Sequence, residues 1–369
     1  MLVRVFRFPV ERAFSRAGVT IDGDAPWDIH VKDDRFYRDV MLKGSLGLGE
    51  AYMRDFWSAE DLEALFCRLL TSGLEQTSQR TPFLMAYQHL SPVFNQQTKS
   101  RALHNAEHHY NLGNNIFFEF LGHYKNYSCG YFREADNLDD AQHAKLLRLC
   151  ELLELNENDR LLDVGGGWGE FAKFAAEHTG CHVTSINIAD EQINHARSHC
   201  KSANVDIVKS DYRELSGSYT KIAVIAMFTH VGQKNYRQFM EIMHRLLEPD
   251  GKMVMETVGS LRSTNCCEPW TNKYIFPGGV IPTLPKIDQA ISGLFQRSGV
   301  EEFGDDYART LRYWYDNFIS AWPRLSRHYS DSMRLMFEYF FLSVAGAFRA
   351  KDLLHYHIEF AKAPGDERR

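Results

Sequence analysis

Arg160-Leu161-Leu162-Asp163-Val164-Gly165-Gly166-Gly167-Trp168-Gly169-Glu170 decides the reading of this chain. An apolar run closes on an acidic residue and enters a glycine-rich turn. Phe171-Ala172-Lys173-Phe174-Ala175-Ala176 follows and can begin a helix. Strand, tight turn and helix N-terminus together enclose a nucleotide-sized pocket. The glycines let the backbone approach a ligand, and the first helical N–H groups point at it.

The glycine spacing narrows the choice of ligand. A dinucleotide fingerprint needs Gly or Ala where this chain has Glu170. The Gly-Lys-Ser/Thr of a P-loop does not occur here. Asp-x-Gly-x-Gly-x-Gly suits a ligand without phosphate but with a positive amino-acid end, which is S-adenosylmethionine. The competing reading is an ordinary glycine-rich turn, since glycine triplets are common.

The next hundred residues favour the ligand reading. Val183-Thr184-Ser185-Ile186-Asn187-Ile188 reads as a second strand, and Asp190-Glu191-Gln192 opens a helix. Val205-Asp206-Ile207-Val208 reads as a third strand, ending near Asp211-Tyr212. The run 221–228 is almost continuously apolar, as a strand buried on both faces requires. A helix-like stretch from Asn235 to Leu247 reaches the turn Pro249-Asp250-Gly251, and Lys252 to Val258 reads as the next strand. Strands alternating with helices predict right-handed βαβ units, a parallel sheet, and ligands beyond its carboxyl edge.

Composition predicts a soluble enzyme. The 369 residues leave room for one large and one smaller domain, and 44% hydrophobic residues can fill their cores. A net charge of −6 argues against nucleic acid as partner. No apolar stretch is long enough for a bilayer span, and no secretory signal is evident. The start, Met1-Leu2-Val3-Arg4-Val5-Phe6-Arg7-Phe8, is apolar and basic, which fits a membrane-surface contact or an amphipathic piece of fold. Seven scattered cysteines without a Cys-x-x-Cys pair predict a reducing cytoplasm and no zinc. A Leu-, Gln-, Ser- and Arg-rich stretch from about 60 to 106 divides an N-terminal domain, 1–100, from a catalytic domain, 101–369. Just before the glycine loop, His108-His109-Tyr110-Asn111-Leu112-Gly113-Asn114 and Tyr127-Ser128-Cys129-Gly130-Tyr131-Phe132 form polar and aromatic clusters. They read as a lid over the loop, or as a helix cap and core aromatics.

Several of these stretches resemble the cyclopropane-fatty-acyl-phospholipid synthases. The matches are Gly44-Ser45-Leu46-Gly47-Leu48-Gly49-Glu50-Ala51-Tyr52, His109 to Asn114, Tyr127-Ser128-Cys129 and Phe228 to Gly232. They continue through Asn272 to Gly279, Trp314-Tyr315 and Ala345 to Ala350. The resemblance implies an α/β fold. Its sheet would be the doubly wound, mostly parallel, seven-stranded Rossmann-like sheet of class I methyltransferases, with a smaller, mainly helical N-terminal domain. It implies transfer of a methyl group from S-adenosylmethionine to the cis double bond of an unsaturated phospholipid acyl chain, giving a cyclopropane. Residues 1–100 resemble the longer bacterial form, whose N-terminal domain engages lipid and dimerises. That implies a homodimer in peripheral contact with the inner membrane face.

The chemistry implied has three demands. Methyl transfer to an alkene leaves a carbocation, so the site must exclude water. Aromatic faces such as Tyr274, Phe276, Trp314 and Tyr315 can stabilise the cation. A base must then take a proton from the transferred methyl; in the family it is a bound bicarbonate, held by a cysteine, glutamate, histidine, tyrosine and backbone amide. Those positions fall on Cys129, Thr229, Glu256, Tyr315 and Val258, with His230 beside Thr229. Thr229 replaces the family's glutamate and Glu256 its histidine. Like-charge repulsion from Glu256 should weaken an anion there, so Glu256 itself becomes a candidate base. A methyl-branched or methylene lipid product, or an inactive relative, are the other readings. For the cofactor, the resemblance assigns Asp163, Gly165, Gly167 and Gly169 to the loop and Tyr127 and Ser128 to the methionine end. It assigns Asn187 and Gln192 to the ribose, and Asp211 and Tyr212 to the adenine. The family commonly carries Cys where this chain has Gly166.

Overall fold

The computed structural model describes residues 2–74, 97, 113–262 and 267–364, with the side chains of 2–4 outside that set. Within it lie α1 (Leu2–Arg16), β1 (His30–Val31), α2 (Arg35–Lys43), α3 (Ser45–Met53), β2 (Trp57–Ser58), α4 (Leu62–Thr71), α5 (Asn114–Phe120) and α6 (Leu138–Leu153). The chain continues through β3 (Arg160–Val164), α7 (Glu170–Thr179), β4 (His182–Asn187), α8 (Asp190–His199), β5 (Val205–Lys209), β6 (Tyr219–Ile225), α9 (Tyr236–Leu246) and β7 (Leu247–Gly259). It ends with α10 (Pro269–Tyr274), α11 (Leu284–Ile291), β8 (Phe295–Glu302), α12 (Gly304–Leu325), α13 (Asp331–Arg349) and β9 (Leu354–Lys362).

Two compact units divide the chain. One comprises 1–94, 265–277 and 307–353; the other comprises 95–264, 278–306 and 354–369. The first unit is mainly helical. Its glycine stretch at 44–49 packs tightly: a Cβ at Gly49 would strike the Trp270 indole and one at Gly47 the Asp39 carbonyl.

The second unit carries a seven-stranded sheet of order β5-β4-β3-β6-β7-β9-β8. β3 to β7 are mutually parallel, and β9 runs antiparallel to both β7 and β8. This is the doubly wound sheet that the alternating pattern predicts. Leu161, Leu162, Val183, Ile222 and Val224 are wholly buried, as strands covered on both faces require. One boundary differs from expectation. β6 stops at Ile225 rather than Phe228, because Ala226 takes a left-handed φ of 53° and the chain turns into a single 3-10 turn at Phe228–His230.

Of the upstream lid cluster, residues 108–112 lie outside the described residues. Gly113, at φ 86°, leads into α5, where Asn114 Oδ1 accepts from Trp168 Nε1 at 2.8 Å. That bond ties α5 to the glycine loop.

Candidate active site

The glycine loop is held at its start by the neighbouring strand: the N–H groups of Gly165 and Gly166 both donate to Ile186 O at 3.0 Å. Gly165, Gly167 and Gly169 sit at φ 88°, 55° and 90°, where only glycine is unstrained. A Cβ at Gly167 would meet nothing within 4 Å, so the loop backbone faces open space there. Asn187 braces the other side. Its Oδ1 accepts from the N–H groups of Ile188 (2.7 Å) and Ala189 (3.2 Å), and its Nδ2 donates to Gly167 O (3.1 Å) and Gln192 Oε1 (2.9 Å). Asn187 and Gln192 therefore shape the loop.

Asp163 is buried at the end of β3 and accepts from Ser185 Oγ at 2.8 Å. Burial pushes its carboxyl up to about 6, against the pull of Ser185 and Lys145. A carboxylate so placed is stabilised by a cation arriving beside it. Farther along the sheet's carboxyl edge, Asp211 accepts from Arg213 N and Nη1 at 2.9 and 2.8 Å. Tyr212 is buried edge-on against Phe239, and Tyr127 packs edge-on against Phe117. A buried acid, an open glycine edge and an aromatic, polar flank fit a cofactor with an amino-acid end and an adenine.

A second polar cluster lies on the sheet. Glu256, wholly buried on β7, pairs in register with His357 on β9, two residues from the Val258–His355 pair. Its Oε1 lies 3.2 Å from His355 Nε2 and its Oε2 lies 3.3 Å from His357 Nε2. Burial alone would raise this carboxyl, yet Lys145 and then the two histidines hold it well below the usual carboxylate range. Lys145 is itself wholly buried on α6, donates to Ser128 Oγ at 2.9 Å, and feels the charges of Glu256, Cys129 and Asp163. Cys129 is buried, with its Sγ donating to Gly130 O at 3.1 Å.

Thr229 lies in the single turn after β6, where its carbonyl accepts from Val280 N at 3.0 Å; before that turn, Ala226 N donates to Glu256 O at 2.9 Å. The neighbouring His230 is kept neutral by burial, which lowers it to about 4. Tyr315 belongs to the first unit, where its hydroxyl lies 3.4 Å from Glu338 Oε1 and burial raises it to about 12.

Ser128, Cys129, Asp163 and Glu256 thus gather round Lys145 in the second unit. Sequence reasoning missed Lys145, His355 and His357. The signals were present: Lys145 sits on the buried face of α6 with Gln142, Leu146 and Leu149, and His355-x-His357 has the two-residue period of one strand face.

Comparison with known proteins agrees with this geometry. Residues 97–358 match the family described as mycolic acid cyclopropane synthetase. The cyclopropane-fatty-acyl-phospholipid synthase of Escherichia coli K12 is 39% identical over 351 residues, covering 94% of this chain and 91% of that protein. The tuberculostearic acid methyltransferase UfaA1 of Mycobacterium tuberculosis is 28% identical over 313 residues, covering 78% and 72%. Among solved structures, the mycolic acid cyclopropane synthase CmaA1 in complex with SAH and CTAB superposes with a TM-score of 0.66 at 25% identity, covering 71% of this chain and 98% of that one. The chain is therefore a member of the cyclopropane synthase family of S-adenosylmethionine-dependent methyltransferases.

Proposed function

We propose that this protein methylates the cis double bond of an unsaturated phospholipid acyl chain and closes it to a cyclopropane, with Glu256 as the proton acceptor. S-adenosylmethionine supplies the methyl group from its sulfonium. The glycine loop and Asp163 orient its amino-acid end, and Asp211 and Tyr212 flank its adenine. The observation that carries the reading is the Glu256 carboxylate: wholly buried, with a histidine Nε2 within 3.3 Å of each oxygen. A carboxylate offers about four lone-pair directions, so two remain to receive a proton. Its lowered pKa is no obstacle, because a C–H beside a carbocation is strongly acidic and position counts for more than basicity. Cys129 shares Lys145 with Glu256 electrostatically, and Val258 follows Glu256 by two residues on β7.

Incubation with S-adenosylmethionine and cis-monounsaturated phospholipid vesicles, with and without bicarbonate, tests this by mass spectrometry and NMR of the lipids. A cyclopropane formed equally in both conditions is the expected result. A bicarbonate requirement would remove Glu256 from the role of base. A methyl-branched or methylene product is the second reading, favoured by one observation: both Glu256 oxygens are already engaged by histidines.

We place the enzyme as a homodimer at the inner face of the cytoplasmic membrane, where phospholipid meets a cytosolic cofactor. No helix of the described residues is long and apolar enough to cross a bilayer. The basic helix α1 exposes Val5 (65%) and Phe8 (68%), which supports a peripheral contact. Vesicle flotation of Val5→Ser/Phe8→Ser and light scattering of the pure protein test the two points.

A further inference from the structure

Ring closure releases one proton per turnover, because a methyl group becomes a ring methylene. One C–H bond breaks, its electron pair forms the second new C–C bond at the cationic carbon, and the proton passes to a Glu256 oxygen. This rests on the reading of Glu256 as acceptor. A carboxylate with no exposed surface cannot hand that proton directly to water, so turnover requires a route outward.

The structure contains a graded series of polar groups. Glu256 Oε2 lies 3.3 Å from His357 Nε2, and His357 Nδ1 lies 3.9 Å from Glu301 Oε2 on β8. Tyr131 OH donates to Glu301 Oε1 at 2.8 Å. Arg133 and Arg148 reach the same carboxylate at 2.5 and 3.2 Å. Side-chain exposure rises along this series from 0% at Glu256 and 1% at His357 to 15% at Glu301 and 63% at Arg133. The His357 ring is walled by Phe303 at 4.3 Å and stacked on Tyr131 at 6.3 Å between centroids.

We infer that His357 and Glu301 form the exit route by which the methyl proton leaves Glu256 for solvent. In the tautomer that carries its own proton on Nδ1, the imidazole accepts the Glu256 proton at Nε2 and releases the Nδ1 proton to Glu301 once that side chain closes the 3.9 Å separation; Glu301 sheds it to water, and the ring proton returns to Nδ1 before the next turnover. One proton moves, and every group ends with the charge it had. The ring is faced by charged and titratable groups on every side, with Glu256 on β7, Glu301 on β8, His355 on its own strand, Tyr131 in the loop before α6, and Lys145 behind Glu256. Burial favours the neutral ring, but the two carboxylates outweigh it and raise the imidazole above its ordinary value, so the ring takes up a proton readily. His357 and Glu301 are positioning residues that act through Glu256.

The test uses Glu301→Gln in the full-length enzyme with S-adenosylmethionine and cis-monounsaturated vesicles. We expect kcat to fall about tenfold or more, with KM for both substrates unchanged. The D2O solvent isotope effect should rise, and Glu301→Asp should recover most of the rate. Wild-type kcat and isotope effect in Glu301→Gln, beside an inactive Glu256→Gln, would overturn the route and leave the Glu256 reading intact. A fully active Glu256→Gln would overturn both. Thermal unfolding monitors the fold; if Glu301→Gln does not fold, His357→Gln reads the same loss of rate and rise in isotope effect, and wild-type values for both would overturn the route.

Discussion

Ser185 Oγ donates to Asp163 Oδ2 at 2.8 Å, in the space that a side chain at residue 166 would fill. A Cβ there would collide with both the hydroxyl and the carboxylate. Gly166 and Ser185 are therefore a matched pair, linking two parallel strands through Asp163. Cys, the residue common in the family at 166, cannot enter this chain alone. Gly166→Cys should destabilise the fold by about 2 kcal/mol through overpacking, and Gly166→Cys/Ser185→Gly should recover at least half of that. Thermal denaturation of the two variants checks the coupling.

The buried Asp163 carboxylate costs stability. Its folded carboxyl, raised to about 6 from 3.8, binds protons more tightly than in the unfolded chain. Stability from this group is therefore greatest at low pH and declines as pH rises from 3.8 through 6, by about 3 kcal/mol in all. Asp163→Asn keeps the Ser185 bond through its amide oxygen. It should gain about 1–3 kcal/mol at pH 8 while S-adenosylmethionine affinity falls about tenfold or more. Denaturant unfolding and calorimetric titration measure the two halves.

Gly167 separates ligand space from fold. A Cβ there meets no protein atom, although φ is 55°. Gly167→Ala should fold with a cost of about 1 kcal/mol from the left-handed backbone and lose cofactor affinity by more than that cost explains. Unchanged titration with S-adenosylmethionine would show that the ligand does not approach this glycine.

The acid limb of activity reports on Glu256. Lys145 and the histidines hold its pKa low against burial, so the wild-type rate should show no Glu256 limb between about pH 5 and 7. His355→Leu removes one hydrogen bond to the carboxylate and leaves burial in place. The folded Glu256 pKa then rises, and an acid limb should move up toward neutral pH. A profile identical to wild type would show that His355 does not support the charge.

Thr229→Glu/Glu256→His restores the family's residues at both positions. If the buried carboxylate replaces bicarbonate, this variant should acquire a bicarbonate requirement that the wild type lacks. Activity measured in carbonate-free and carbonate-supplemented buffer decides the point.

The sequence by itself determined the strand–glycine loop–helix from Arg160 to Thr179, the parallel βαβ order and S-adenosylmethionine as the cofactor. These are local: apolar runs set strands, and glycines mark positive φ within a few residues of the strands they follow. The resemblance supplied Cys129 and Tyr315, and the departures at Thr229 and Glu256. Only the tertiary structure decided what Glu256 touches. The antiparallel pairing of β7 with β9 brings His355 and His357 to it across about a hundred residues of chain, and α6 buries Lys145 beside it. Pairing partners and register between distant strands arise from the packing of the whole sheet, so no local pattern could specify that this carboxylate would lie buried, charged and flanked by two histidines.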